Sequence, residues 1–149
     1  MEIRLRHAEE NDAHLLLQWR NDPTTAKNSI NQNPITWEDH KAWLDASLKR
    51  EDRHIMIGVI GEDHPIGTIR FDKLIDGYEV SIIIEPYLRT SGMGKTLLRK
   101  GIELFGNNDL FATIRGDNVA SLIIFLSSGF KLVEYNQSTG LAYLKREPR

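Results

Sequence analysis

The stretch Ile82-Ile83-Ile84-Glu85-Pro86-Tyr87-Leu88-Arg89-Thr90-Ser91-Gly92-Met93-Gly94-Lys95-Thr96-Leu97-Leu98 decides how the rest of the chain is read. Its β-branched start is a strand, and Glu85-Pro86 ends it. The glycines then open a helix whose apolar stripe is Leu97, Leu98, Gly101, Ile102 and Phe105, with Gly106 as its C-cap. A helix amino terminus presents unpaired N–H groups and the positive end of its dipole, and glycine lets a phosphate come close to the backbone. The turn therefore suits a pyrophosphate, although a glycine-rich helix entry without a ligand reads the same locally. Two nucleotide motifs are excluded. Gly94-Lys95-Thr96 mimics the end of a P-loop, but G-x-x-x-x-G-K-[ST] needs glycine where Arg89 stands. G-x-G-x-x-G fails as well, because Leu97 holds its third glycine position.

Upstream of this stretch the sequence predicts a β-meander over residues 54–60, 66–75 and 78–84, with a turn at Asp76-Gly77. A two-residue turn there sets Ile75 opposite Tyr78. It places Ile69, Phe71, Val80, Ile82 and Ile84 on one face and Thr68, Arg70, Asp72, Glu79 and Ser81 on the other. A face with five polar groups is either solvated or the floor of a site. Before the meander, residues 2–7 read as a strand. A helix capped by Asn11 or Asp12 follows and ends near Asn21-Asp22-Pro23. Residues 23–35 read as irregular, and a second helix starts at the capping pattern Thr36-x-x-Asp39 and runs to about Lys49. Downstream, residues 110–114 form a strand and Asn118 caps a helix over 119–126. Two strands, 131–137 and 141–145, close the chain.

The chain has 149 residues with 19 basic and 21 acidic side chains, and 40% of its residues are hydrophobic. That length predicts a single domain over 1–149, able to bury a core without metals or disulfides. Near-neutral charge lacks the footprint of a nucleic-acid partner. No apolar run reaches the length of a membrane span, and the charged amino terminus does not read as a secretory signal, so a cytoplasmic protein is expected. The absence of cysteine removes thiol nucleophiles and thiolate metal sites. The five histidines show no metal-ligand spacing, so no metal is expected.

Arg89-x-x-Gly92-x-Gly94, after a strand ending at Ile84, resembles the acetyl-coenzyme A motif [QR]-x-x-G-x-[GA] of the GNAT family of N-acetyltransferases. A second segment, Asn118-x-x-Ser121 followed by Ile124-Phe125 and Gly129-Phe130, resembles that family's N-x-x-A-x-x-L-Y-x-x-x-G-F pattern. The order of elements is the family's own. The resemblance implies an α+β fold with a central mixed sheet of about seven strands and four main helices, in which two splayed parallel strands form the acetyl-CoA cleft. It implies that backbone groups of Ile82 and Ile84 pair with the pantetheine arm. The turn of Arg89, Thr90, Ser91, Gly92, Met93, Gly94 and Lys95 then cradles the pyrophosphate, and Asn118 contacts pantetheine as well as capping its helix. A backbone N–H near Ile83 is the expected oxyanion donor.

Acetylating an amine from a thioester needs a base for the ammonium proton. Glu79, on the polar face and on the strand leading to the cofactor turn, is the expected base, and Asp72 is the next choice. Many members carry a tyrosine acid where this chain has Phe125; Tyr135, Tyr143, Ser128 or water would have to serve instead. The pattern Trp19-Arg20-Asn21-Asp22, Ile35-Thr36 and His40-x-x-Trp43 is similar to acetyltransferases of nucleotide-linked amino sugars in nonulosonic acid pathways, and more loosely to those of ribosomal-protein amino termini. By that likeness Arg20, Asn21, His40 and Asp72 bind a small-molecule amine, with Lys27 joining Arg20 at a diphosphate. His40 also reads as a core histidine and Arg20 as a solvated one. A protein N-terminal acetyltransferase and a noncatalytic CoA sensor remain the alternatives. The apolar run 122–126 and the closing strands are a candidate homodimer surface.

Overall fold

The structure is a computed structural model that describes residues 2–148, so the two ends of the expected unit over 1–149 lie outside the described residues. Its centre is a seven-stranded sheet built from β1 (Arg4–His7), β2 (Arg53–Ile60), β3 (His64–Leu74), β4 (Gly77–Ile84), β5 (Leu110–Arg115), β6 (Lys131–Asn136) and β7 (Leu141–Arg146), in the order β1-β2-β3-β4-β5-β7-β6. Every neighbouring pair is antiparallel except β4 with β5. Five α-helices flank it among the described residues: α1 (Ala13–Asn21), α2 (Pro23–Asn28), α3 (Trp37–Leu48), α4 (Met93–Phe105) and α5 (Val119–Leu126).

Alternation along the strands splits the core in two. Met56, Ile66, Ile69, Phe71 and Val80 point to one face and pack against Leu97 and Leu98 of α4 and Phe125 of α5. Ile55, Ile57 and Val59 point to the other and pack against Leu16 and Trp19 of α1 and Leu44 of α3. α4 lies close on the sheet because Gly101 has no side chain. A Cβ there would come within 2.5 Å of Ile69 Cδ1 and 2.8 Å of Phe71 Cζ. At the entry to α1 the Arg6 fork donates to both Asp12 oxygens at 2.9 Å, and Asp12 also accepts from the Glu9 amide at 2.7 Å. Partial burial works against the ionised Asp12 carboxyl, but these bonds outweigh it and hold its pKa below the usual carboxylate range.

Two expectations need correction. The four expected helices are present, and a fifth, short one, α2, forms inside the stretch read as irregular. Pro23 sits in its first turn, and the Asp22 carboxylate accepts from the Thr25 amide at 3.1 Å. The hairpin register also differs. Lys73, not Ile75, lies opposite Tyr78, and Leu74 lies opposite Gly77, so Ile75 and Asp76 form the turn. The pairing slips by two residues, an even number, so face assignments survive: Ile69 pairs with Ile82 and Phe71 with Val80 on the apolar side. Thr36 and Asn118 cap their helices as expected, accepting from the Asp39 amide at 3.2 Å and the Ser121 amide at 3.3 Å.

Candidate active site

β4 pairs with β3 along its whole length but with β5 only at Tyr78↔Leu110 and Glu79↔Phe111. β5 continues to Arg115 with its other edge on β7, while β4 continues to Ile84, so the two parallel strands part into a V with Glu79 near the vertex. The direction of each backbone group in that gap follows from two hydrogen bonds. The Tyr78 N–H donates to Asp109 on the β5 side at 3.0 Å, and the Glu85 N–H donates to Ile66 of β3 at 2.9 Å. Successive residues of a strand alternate in direction, so Ile82 and Ile84 aim their N–H and C=O groups into the gap. Those of Ile83 aim at β3. Of the backbone amides near Ile83, the residue expected to lie beside the oxyanion donor, those of Ile82 and Ile84 face the gap and that of Ile83 itself does not. The Ile83 side chain instead packs toward α1 and α3.

At the open end of the V the chain turns through Pro86, Tyr87 and Leu88 and enters α4. The Glu85 carboxylate accepts from the Tyr87 amide at 2.8 Å. Thr90 and Gly92 adopt left-handed conformations, with φ of 66° and 86°. A left-handed β-branched residue is strained by about 1–3 kcal/mol, a feature that concentrates at functional sites. A Cβ on Gly92 would meet nothing within 4 Å, so glycine is required there for its φ and not for space. The first amides of α4, including those of Met93, Gly94 and Lys95, then have no carbonyl one turn earlier in the helix. A turn of this shape fits an anionic pyrophosphate. Arg89, expected in the cradle, reaches sideways instead. Its guanidinium donates to Asp22 and, at 2.9 Å, to Thr25 Oγ1, tying the turn to α2. Burial opposes the ionised Asp22 carboxyl, but Arg89 and the Thr25 amide outweigh it and lower its pKa. Asn118 caps α5 with its side-chain oxygen, which leaves its amide nitrogen as a donor.

On the opposite face of β4 lies a cavity of about 270 Å³, lined by Leu16, Arg20 and Asn31 and by His40, Trp43, Arg70 and Ser81 among others. Asn21 shapes one wall: its side chain accepts from the Ile35 N–H at 3.0 Å and donates to the Ile35 carbonyl at 2.8 Å. Arg20 donates to the carbonyls of Asn31 and Asn33, while its Nη1 is buried without a partner. His40 is 4% exposed, and its Nε2 also has no partner. Burial lowers the imidazole pKa, and an interaction with the Ala13 backbone opposes this only in part. Asp72 is not brought into the cavity. One of its oxygens accepts from Arg53 at 2.8 Å and the other from Arg70 at 3.1 Å, and both guanidiniums stand over the Trp43 ring at 5.4 and 5.5 Å. Glu79 lies across the ladder from Asp72, two residues before Ser81 and on the same face, and accepts from Thr113 Oγ1 at 3.5 Å. Phe125 is buried in edge contact with Phe130.

Asn31 belongs to the cavity although nothing in its local sequence marked it, and it is joined there by Ile35, which the acceptor pattern included. They come from the loop after α2, whose position depends on Asn21 and Arg20. Among the described residues no group of three His, Asp or Glu side chains is placed to hold a metal ion, and no helix is long and apolar enough to cross a membrane.

Comparison with known proteins agrees with this geometry. Residues 2–131 match the family described as acetyltransferase (GNAT) domain. A protein of uncharacterised function from Methanocaldococcus jannaschii is 30% identical over 135 residues, which cover 87% of this chain and 28% of that protein. The chain thus spans little more than a quarter of this relative's length. The crystal structure of a domain from Methanocaldococcus jannaschii superposes with a TM-score of 0.81 at 27% identity, covering 97% of each chain. A spermidine N-acetyltransferase from Vibrio cholerae, solved with CoA and spermine, superposes with a TM-score of 0.84 over 97% of this chain and 94% of its own. At 13% identity that likeness concerns the fold.

Proposed function

Starting from the membership of this chain in the GNAT acetyltransferase family, we propose that it moves the acetyl group of acetyl-CoA directly onto a primary amine held between α1, α3 and β4. The observation that carries this reading is the parallel pair β4–β5, which is joined at two positions and then opens, with the left-handed turn at its mouth and the cavity on its far face. Acetyl-CoA supplies an activated thioester carbonyl. The cleft-facing amides of Ile82 and Ile84 are placed to hold the pantetheine arm and to donate to the carbonyl oxygen as it gains negative charge. Glu79 takes the ammonium proton, directly or through one water. The amine nitrogen then bonds to the carbonyl carbon and sheds its second proton to solvent, the carbon–sulfur bond breaks, and the thiolate takes up a proton, so that one proton is released overall. A chain without cysteine offers no thiol for an acetyl-enzyme intermediate.

For the acceptor we propose the amino group of a nucleotide-linked deoxy amino sugar. Support comes from residues of α1, α3 and the loop between α2 and α3 that share the cavity: Arg20, Asn31, His40 and Trp43. The volume lies just below the usual range of ligand pockets, enough for a sugar ring with its phosphate at Arg20 and the nucleoside outside. The test is acetyl transfer to a nucleotide-linked 4-amino sugar against peptide amino termini, read by mass spectrometry of the product. Acetylation of the sugar supports the assignment, and acetylation of peptides alone overturns it.

A further inference from the structure

The charge inventory of the acceptor cavity is one-sided. Arg20 and Arg70 line it, and no Asp or Glu does. Asp72 offsets only part of that charge, because its single carboxylate is shared between Arg53 and Arg70. Arg20 has no carboxylate partner. It spends Nη2 on two loop carbonyls, and its Nη1 is buried with no hydrogen bond at all. Burial lowers its pKa, yet a guanidinium stays protonated in water at any ordinary pH. A half-buried cation whose inward nitrogen is an idle donor is completed by an anionic or strongly accepting group.

We infer that the acceptor is an amine that carries its own anionic group, a carboxylate or a phosphate, which Arg20 and Arg70 bind while the amine points toward Glu79. This rests on the acetyltransferase reading and narrows its substrate class. The guanidinium fork suits both oxyanions, which it can meet with paired N–H donors. Trp43, flanked by Arg53 and Arg70, supplies a flat wall beside them. A polyamine or an aminoglycoside brings several ammonium groups to a cavity whose lining offers none of them a carboxylate, so the same arrangement discriminates against polycations.

The experiment uses matched amines at fixed acetyl-CoA: an α-amino acid against its decarboxylated amine, an amino-sugar phosphate against the free amino sugar, and spermidine as the polycation. The anionic member of at least one pair is expected to show the higher kcat/KM, and which pair responds separates carboxylate from phosphate. Loss of a charged hydrogen bond predicts that Arg20→Gln shrinks the anionic-to-neutral ratio of kcat/KM by about 10- to 100-fold. Arg20→Lys, which keeps the charge, should restore part of the ratio. An unchanged ratio in Arg20→Gln, or a preference for spermidine, overturns the inference and leaves the acetyltransferase reading intact. No transfer to any amine overturns both.

Discussion

Glu79 and Asp72 are neighbours across the β3–β4 ladder, both carboxylates on the polar face, yet their surroundings differ. Asp72 is held by two guanidiniums, whereas Glu79 meets only a hydroxyl at the vertex of the V. We therefore place proton removal on Glu79. Glu79→Gln is expected to lower kcat by about 10²–10⁴-fold with acetyl-CoA affinity unchanged in a direct binding titration. An equal loss in Asp72→Asn alone would move the role. His40 makes a second prediction. Its folded pKa lies below the ordinary value of about 6.5, so as pH falls through that value the unfolded chain takes a proton that the folded chain refuses. The stability linked to His40 is present above about pH 6.5 and declines below it. Denaturant midpoints taken across this range should fall less steeply in His40→Gln. At this scale alternation told which side chains share a face, since period 2 survives a two-residue register shift. It could not tell that Arg70 would choose Asp72 over Glu79, because partners depend on the ladder and on Arg53, which arrives from another strand.

The turn between β4 and α4 was legible as an element because Gly92 and Gly94 mark it, but the two left-handed positions in it were not, since Thr90 has no such preference. Gly92→Ala has space for the methyl group and fails only in backbone conformation. It is expected to destabilise the fold by about 1–2 kcal/mol and to weaken acetyl-CoA binding, both measurable by thermal melts with and without cofactor. α2 escaped sequence reading for a different reason. Six residues with no apolar stripe give no periodic signal, and the helix exists through its Asp22 cap, Pro23 and the Arg89 clasp. Asp22→Ala should cost about 1 kcal/mol from the cap alone. It should also raise the KM for the amine, because the loop carrying Asn31 and Ile35 follows α2 directly. Wild-type KM in that variant would show that α2 does not position the loop.

Over the whole molecule the sheet separates two cores, and both the gap and the cavity lie along β4, the gap at its β5-side edge and the cavity on its Ser81–Ile83 face. The strands and their sequence were readable one by one. The order β5-β7-β6 was not, because a non-local pairing leaves no mark within either strand; the family resemblance implied a mixed sheet with two splayed parallel strands, and the structure supplies the order. The surface of α5 and β6 carries exposed Val119, Ile123, Leu132 and Val133, while Phe125 of the same apolar run is core. Leu98, fully buried under α4, tests the larger core: Leu98→Ala is expected to cost about 2–5 kcal/mol, read from denaturant midpoints at constant slope.

The central claim is direct transfer from acetyl-CoA to an amine, and amine-dependent thiol release from acetyl-CoA tests it most directly, since the cysteine-free chain adds no thiol of its own. The account predicts release that requires the amine, tracks product acetylation one for one and is strongly reduced in Glu79→Gln. Tight acetyl-CoA binding without release across amino sugars, amino acids, peptides and polyamines would contradict it and identify a protein that senses the cofactor without using it.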